Sequence, residues 1–252
     1  MSRLLFGSIV LLIAFAPAAR AADDIPQEIV AKAVKAHGGE EFLTRNKSVQ
    51  STEKGKINVP GVGEVEFTEE AVYMLPDKFR HTIEFDVMNV KVRFVALING
   101  DKVSVDATAN GQVADLGTNL KEAYKDVPHI LRVAHLAPLE TDKTYELSLI
   151  GEDTVEEKKV VGVRVTKKGQ KDVSVYFDKE TGLIAKMQYQ TVDSSNGKEV
   201  TEERIIKEYG KDKDGIPYPK KTLIKQDGKT FLESGTVEMK RLESIDDSEF
   251  KE

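Results

Sequence analysis

The chain's possible chemistry is limited by four histidines, several adjacent glutamate pairs and a complete lack of cysteine. Without cysteine there is no disulfide, no thiolate metal site and no thiol nucleophile. The histidines are His37, His81, His129 and His135. His129 and His135 stand in "HILRVAH", and on a helix that spacing turns them about 120° apart. The HExxH spacing that aims two imidazoles at one metal is missing. Cap or surface histidines are the expectation, with no metal and no cofactor. Glu69-Glu70, Glu156-Glu157 and Glu202-Glu203 are adjacent, so on strands their side chains point to opposite faces and cannot share a site. They read as solvated surface acids. Asp212 and Asp214 flank a turn and read as Asx-turn residues rather than Ca²⁺ ligands. No G-x-S-x-G elbow is present. "VPGVGEV" (59–65) is too short to cradle a phosphate. The chain therefore reads as a non-catalytic protein.

The N-terminus reads as an export signal. Ser2-Arg3 is basic, Leu4–Ala16 is an apolar run shorter than the roughly 20 residues of a membrane span, and Ala19-Arg20-Ala21 suits signal peptidase. The expectation is a signal peptide over 1–21, a single domain over 22–252, and a periplasmic or secreted protein. A retained anchor fits the short apolar run less well. Residues 1–21 carry Arg3, Arg20 and no acid, so their removal takes the net charge from -6 to -8. No basic stripe suggests nucleic acid.

What remains must be read from its elements. "DDIPQEIVAKAVKAHGG" predicts a helix with Asp24 as N-cap, Pro26 in the first turn, and Gly38-Gly39 as the stop. From 47 to about 114 the apolar residues alternate, with an irregularity expected near Glu69-Glu70. A parity flip between Val87 and Met88 calls for a tight turn or bulge. Asn99-Gly100 and Asn110-Gly111 are hairpin signals. Residues 116–136 predict two short helices or one kinked helix, ended by Pro138. From 144 onward the strands resume, separated by short turns at 151–153, 168–170, 195–197, 214–215 and 227–228. The hairpin 172–190 shows the pattern most clearly: Val173, Val175 and Phe177 on one side, and Leu183, Ala185, Met187 and Tyr189 after Gly182.

An outer-membrane barrel would also alternate at period two, but the helical middle and the lack of Trp speak against it. These patterns predict a mainly β (α+β) fold. A large curved antiparallel sheet of about eleven strands, a half-open barrel, would wrap around the N-terminal and central helices. Small helices fill a broad concave wall poorly, so an apolar cavity, or one that opens when the helices move, is expected. Its candidate lining is Phe85, Val90, Val92, Phe94, Val175, Phe177, Met187 and Val237, with Leu120, Tyr124 and Leu131 from the helical plug. The same alternation would serve a filled core in a structural or regulatory interaction module.

"AKAVKAHGGEEFL", "ALINGDKVSVD", the helical middle ending "HLAPLE", "DVSVYFDKETGLIAKMQY" and "EYGKDKDGIPYPKKTLIKQDGK" together resemble periplasmic outer-membrane lipoprotein-sorting and carrier (LolA-like) proteins. The resemblance implies a curved sheet plugged by helices and no catalytic centre. It also implies a ligand such as the acyl chains of lipoproteins or lipids. A monomer with a membrane-associated donor or acceptor is the expectation, since acyl burial alone hardly competes with a membrane. The resemblance further implies an arginine that holds the lid shut, for which Arg45, Arg80, Arg93 and Arg132 are the candidates.

Overall fold

The structure is a computed structural model that describes residues 24–114 and 118–251. The predicted signal peptide and Leu116 lie outside the described residues. Two helices open the chain, α1 (Asp24–Ala36) and α2 (Glu40–Arg45). Six strands follow: β1 (Ser48–Val59), β2 (Gly63–Met74), β3 (Lys78–Val87), β4 (Val90–Asn99), β5 (Lys102–Ala109) and the short β6 (Gln112–Val113). The helical middle is α3 (Thr118–Tyr124), α4 (Val127–His135) and α5 (Ala137–Thr141). Seven strands complete the sheet: β7 (Tyr145–Val155), β8 (Lys158–Lys167), β9 (Val173–Asp178), β10 (Ile184–Val192), β11 (Glu199–Lys211), β12 (Pro217–Gln226) and β13 (Lys229–Leu242).

Among the described residues the strands form one antiparallel sheet of thirteen, ordered β6-β5-β4-β3-β2-β1-β13-β12-β11-β10-β9-β8-β7. Each half is a meander, and pairing of β1 with β13 joins the halves. The order ends in β6 and β7, which do not pair, so the curved sheet stays open. This is the expected half-open architecture with two strands more than the pattern suggested.

The inner face is filled unevenly. Val30, Ala33 and Val34 of α1, Val133 of α4 and Leu139 of α5 pack with Val163, Val165, Val173, Val175, Phe177, Ile184, Met187 and Tyr189 of β8 to β10. The valines of β8 and β9 in this group are completely buried. Burying such a side chain stabilises by about 1.5–3 kcal/mol, so this half is a conventional core. A second cluster, Ile57, Phe67, Ile83, Ile224 and Leu232, closes the junction of β1 to β3 with β12 and β13. On the outer face, a 3-10 turn (Asp247–Phe250) covers β3 and β4 with the buried Phe250.

Several local expectations change. β2 pairs with β1 without any register shift, so there is no irregularity at Glu69-Glu70. The parity flip at Val87 is a two-residue turn in which Met88 and Asn89 both take positive φ. Gly151 lies within β7, where the ladder shifts register, and the β7–β8 hairpin turns instead at Glu156-Glu157 with φ of 49° and 69°. Pro138 does not end the helical run but lies in the first turn of α5, where its missing N–H costs nothing. In β10 the ladder shifts between Ile184 and Lys186. Ile184, rather than Leu183 or Ala185, therefore joins Met187 and Tyr189 on the inner face.

Candidate functional site

The cross-strand pairings decide which side chains face inward. Phe67 pairs with Phe85, Ile83 with Phe94, and Phe85 with Val92. On the next strand Phe94 lies opposite Ala107 and Ala96 opposite Val105. All belong to the face that carries the buried Phe67. Here the wall is only partly covered: Val65, Phe85, Val92, Phe94 and Val105 are half-buried. The rings of Phe85 and Phe94 meet edge to face with centroids 6.2 Å apart, a favourable aromatic geometry.

Helix α3 crosses this side of the trough, touching β5 at one flank and β10 at the other. Its Leu120 and Tyr124 are half-buried. The β10–β11 turn supports it: Gly197 has φ 74°, and a Cβ there would fall 2.8 Å from Asn119 Oδ1. Glycine suits the left-handed backbone there and leaves room for the Asn119 side chain of α3.

Beneath α3 the wall is polar. Tyr124 OH lies 2.6 Å from His81 Nδ1. His81 Nε2 is 2.9 Å from Glu69 Oε1, an ion-pair distance at an angle outside good hydrogen-bond geometry. The Tyr124–His81 contact thus ties α3 to the wall on one side of the imidazole, and Glu69 lies on its other side. On the far wall Tyr189 donates to Glu202 Oε1 at 2.5 Å, and Arg204 Nε donates to the Tyr189 oxygen at 2.8 Å. Gln226 donates to the other Glu202 oxygen at 3.2 Å. Between the walls Ser234 donates to Glu53 Oε2 at 2.6 Å.

These groups share one electrostatic field. Burial pushes the Glu53 carboxyl up, and the Glu69 charge adds to it. Burial also pushes Glu69 up, but His81 and Arg204 together pull it below the usual carboxylate range. Enclosure by the sheet opposes the charge of Arg204, but its half-exposed guanidinium, bonded to Tyr189 and Glu202, stays protonated. The Tyr124 and Tyr189 phenols are both raised by burial. Arg204 projects from the inner face opposite Met187, and its side chain is 46% exposed. Solvent therefore reaches the inside of the trough at this point.

The sequence candidates divide accordingly. Phe85, Val90, Val92 and Phe94 line the partly covered wall; on α3, Tyr124 packs on Phe79 and His81 of β3, and Leu120 is half-buried. Val175, Phe177 and Met187 are at most 5% exposed in the core beneath α1, α4 and α5. Leu131 is half-buried on α4. Val237, expected on the inner wall, is instead the extra residue of a β-bulge in β13 and is 62% exposed. Of the candidate latch arginines, Arg132 ties α4 to the β2–β3 turn through the Pro76 carbonyl at 3.1 Å. Arg45 reaches Glu243, Arg80 the Glu249 carbonyl, and Arg93 Glu84.

Sequence reasoning missed the polar cluster. Glu69 and Glu202 are not solvated acids, with side chains only 17% and 10% exposed. His81 and His129 are not surface histidines. Alternation did signal them: Glu53, Glu69, His81 and Glu202 occupy the inward parity of their strands.

Two clefts open elsewhere. One of about 560 Å³ lies where the β4–β5 turn meets α3 and α4, with Lys102, Lys121, Lys125 and Arg132 facing Asp77 and Asp101. The other, about 810 Å³, lies among Lys54, Lys56, Glu66, Glu84 and Lys221 and also takes in Phe67, Phe85 and Ser234. Neither is an apolar chamber.

No protein-family model and no curated protein matches the sequence. Solved structures do. A DUF1329 family protein from Desulfovibrio piger superposes with a TM-score of 0.53 at 16% identity, over 90% of this chain and 97% of that one. A LolA superfamily protein from Nitrosomonas europaea gives 0.52 at 12% identity with the same coverage. A putative outer membrane lipoprotein-sorting protein domain from Vibrio parahaemolyticus gives 0.50 at 11%, again over 90% and 97%. Likeness at these identities concerns architecture: an open, curved antiparallel sheet with helices on its inner side, which is a LolA-like fold.

Proposed function

We propose that the protein is a non-catalytic carrier or binding protein for hydrophobic ligands, acting in the periplasm. An acyl chain of a lipid or lipoprotein would lie along β3 to β5, in space that α3 covers when no ligand is present. The observation that supports this best is the contrast within one inner face. The wall over β8 to β10 is sealed by α1, α4 and α5, whereas Phe85, Val92, Phe94 and Val105 on β3 to β5 stay partly exposed.

The energetics suit a carrier rather than a sink. Each CH₂ group moved from water onto such a wall contributes about 0.8 kcal/mol at best. That suffices to hold a chain against water, and it leaves transfer to a membrane or a membrane-associated partner favourable. A lipoprotein-sorting domain and a LolA superfamily protein with the same architecture lend weight to this ligand class. No described helix is long and apolar enough to cross a membrane.

The dense core under α1 favours a second reading, an interaction module that uses the fold with its interior filled. Titration with N-phenyl-1-naphthylamine, an uncharged probe that brightens in apolar surroundings, separates the two. The carrier reading expects saturable uptake at one site, and native mass spectrometry of protein from its own cell envelope should carry co-purified lipid. An unchanged probe signal together with a bare apo mass would support the filled module.

A further inference from the structure

If the trough is an acyl site, its polar floor decides which acyl compounds enter. Tyr124 OH is hydrogen-bonded to His81 Nδ1, so displacement of α3 uncovers the imidazole and the Glu69 carboxyl beside it. The neighbouring Glu69 oxygens face the same space, and their charge reaches Glu53, whose carboxyl is pushed up by burial and by that charge. Ser234 is already spent on Glu53, and Arg204 Nε on Tyr189 and Glu202. Arg204 is the cluster's one fixed positive charge, acting on Glu53, Glu69 and Glu202, three carboxyl groups in all.

We propose that this cluster is the recognition site for the polar end of the ligand. It takes a hydrogen-bond donor without negative charge, such as a hydroxyl, an amide N–H or an ammonium, and it turns away a carboxylate. A donor bonds to the Glu69 carboxylate, whose oxygens accept. A carboxylate brings a further acidic group beside Glu53, Glu69 and Glu202 in a partly buried space, where like charges repel more strongly than in water. This rests on the carrier reading but adds the chemical class of the ligand.

The test is competition against N-phenyl-1-naphthylamine on the full-length mature protein at pH 7.5. Monodecanoylglycerol, decylamine and decanoate share one chain length, and each is used below its micelle concentration. The glycerol ester and the amine should displace the probe at least tenfold more tightly than decanoate. Glu69→Gln should weaken the amine, strengthen decanoate and narrow their gap at least threefold. Decanoate binding as well as or better than the other two overturns the selectivity and leaves the carrier reading standing. Failure of all three to displace a bound probe, or of the probe to bind, overturns both. The wild-type comparison stands by itself should the variant not fold.

Discussion

The hydroxyl of Tyr124 on α3 lies 2.6 Å from Nδ1 of His81 on β3, a bond between residues 43 apart in sequence that joins the helical middle to the inner wall. The two rings also pack, with centroids 5.8 Å apart. Tyr124→Phe keeps the ring and deletes the bond, leaving a mostly buried imidazole nitrogen without its partner. The expected cost is about 1–3 kcal/mol. Amide exchange should quicken along α3 and stay unchanged in β8 and β9, which a urea titration and hydrogen-exchange mass spectrometry would measure together.

The two halves of the inner face should respond differently to truncation. Phe177 is 1% exposed and enclosed by helices, so Phe177→Ala should cost about 3–5 kcal/mol. Phe85 is half-buried on the open wall, so Phe85→Ala should cost clearly less. Equal losses in denaturant midpoint would mean that both halves are equally filled.

Added volume gives the complementary test. Val92 sits on β4 opposite Phe85 and Ala109. Val92→Phe should leave the denaturation midpoint nearly unchanged and lower probe uptake several-fold. In a filled core the same change would cost about 1–3 kcal/mol.

Acid should weaken the fold as the pH falls below the pKa of a free imidazole. Burial pushes the His37 imidazole down to about 4, and burial lowers His129 and His135 as well. The unfolded chain takes up these protons near pH 6.5 while the folded chain does not, so stability is present above that pH and is lost as pH falls toward 4. The slope is at most roughly 1.4 kcal/mol per pH unit for each imidazole. His37 Nδ1 donates to the Ala33 carbonyl at 2.8 Å, and His37→Asn retains a donor without the titration. Denaturation curves at pH 7 and pH 5 should differ less in the variant.

The sheet was legible from alternation because side-chain parity is a local property. Asn110-Gly111 and Asp227-Gly228 form turns with positive φ at both residues, as their types require. Glu156-Glu157 forms the same kind of turn without glycine, so Gly151 drew the expected turn to the wrong place. The bulges at Ala185 and Val237 carry no local mark either, and they moved Leu183 and Val237 off the inner face. The polar cluster was hidden for a different reason. Whether an inward carboxylate is solvated depends on what lies across the trough, and His81, Arg204 and Ser234 come from strands far apart in sequence. The order of the strands, not the pattern within any one of them, makes them neighbours.

The chain contains no tryptophan, so a single introduced indole reports its own surroundings without background. Phe94→Trp places it on the half-covered inner wall and Val237→Trp on the exposed bulge. Titration with a monoacylglycerol brominated on its chain, below its micelle concentration, tests the central claim directly. The carrier account predicts saturable quenching of the tryptophan at 94 and little at 237. Equal quenching at both positions, or none at 94, would contradict it.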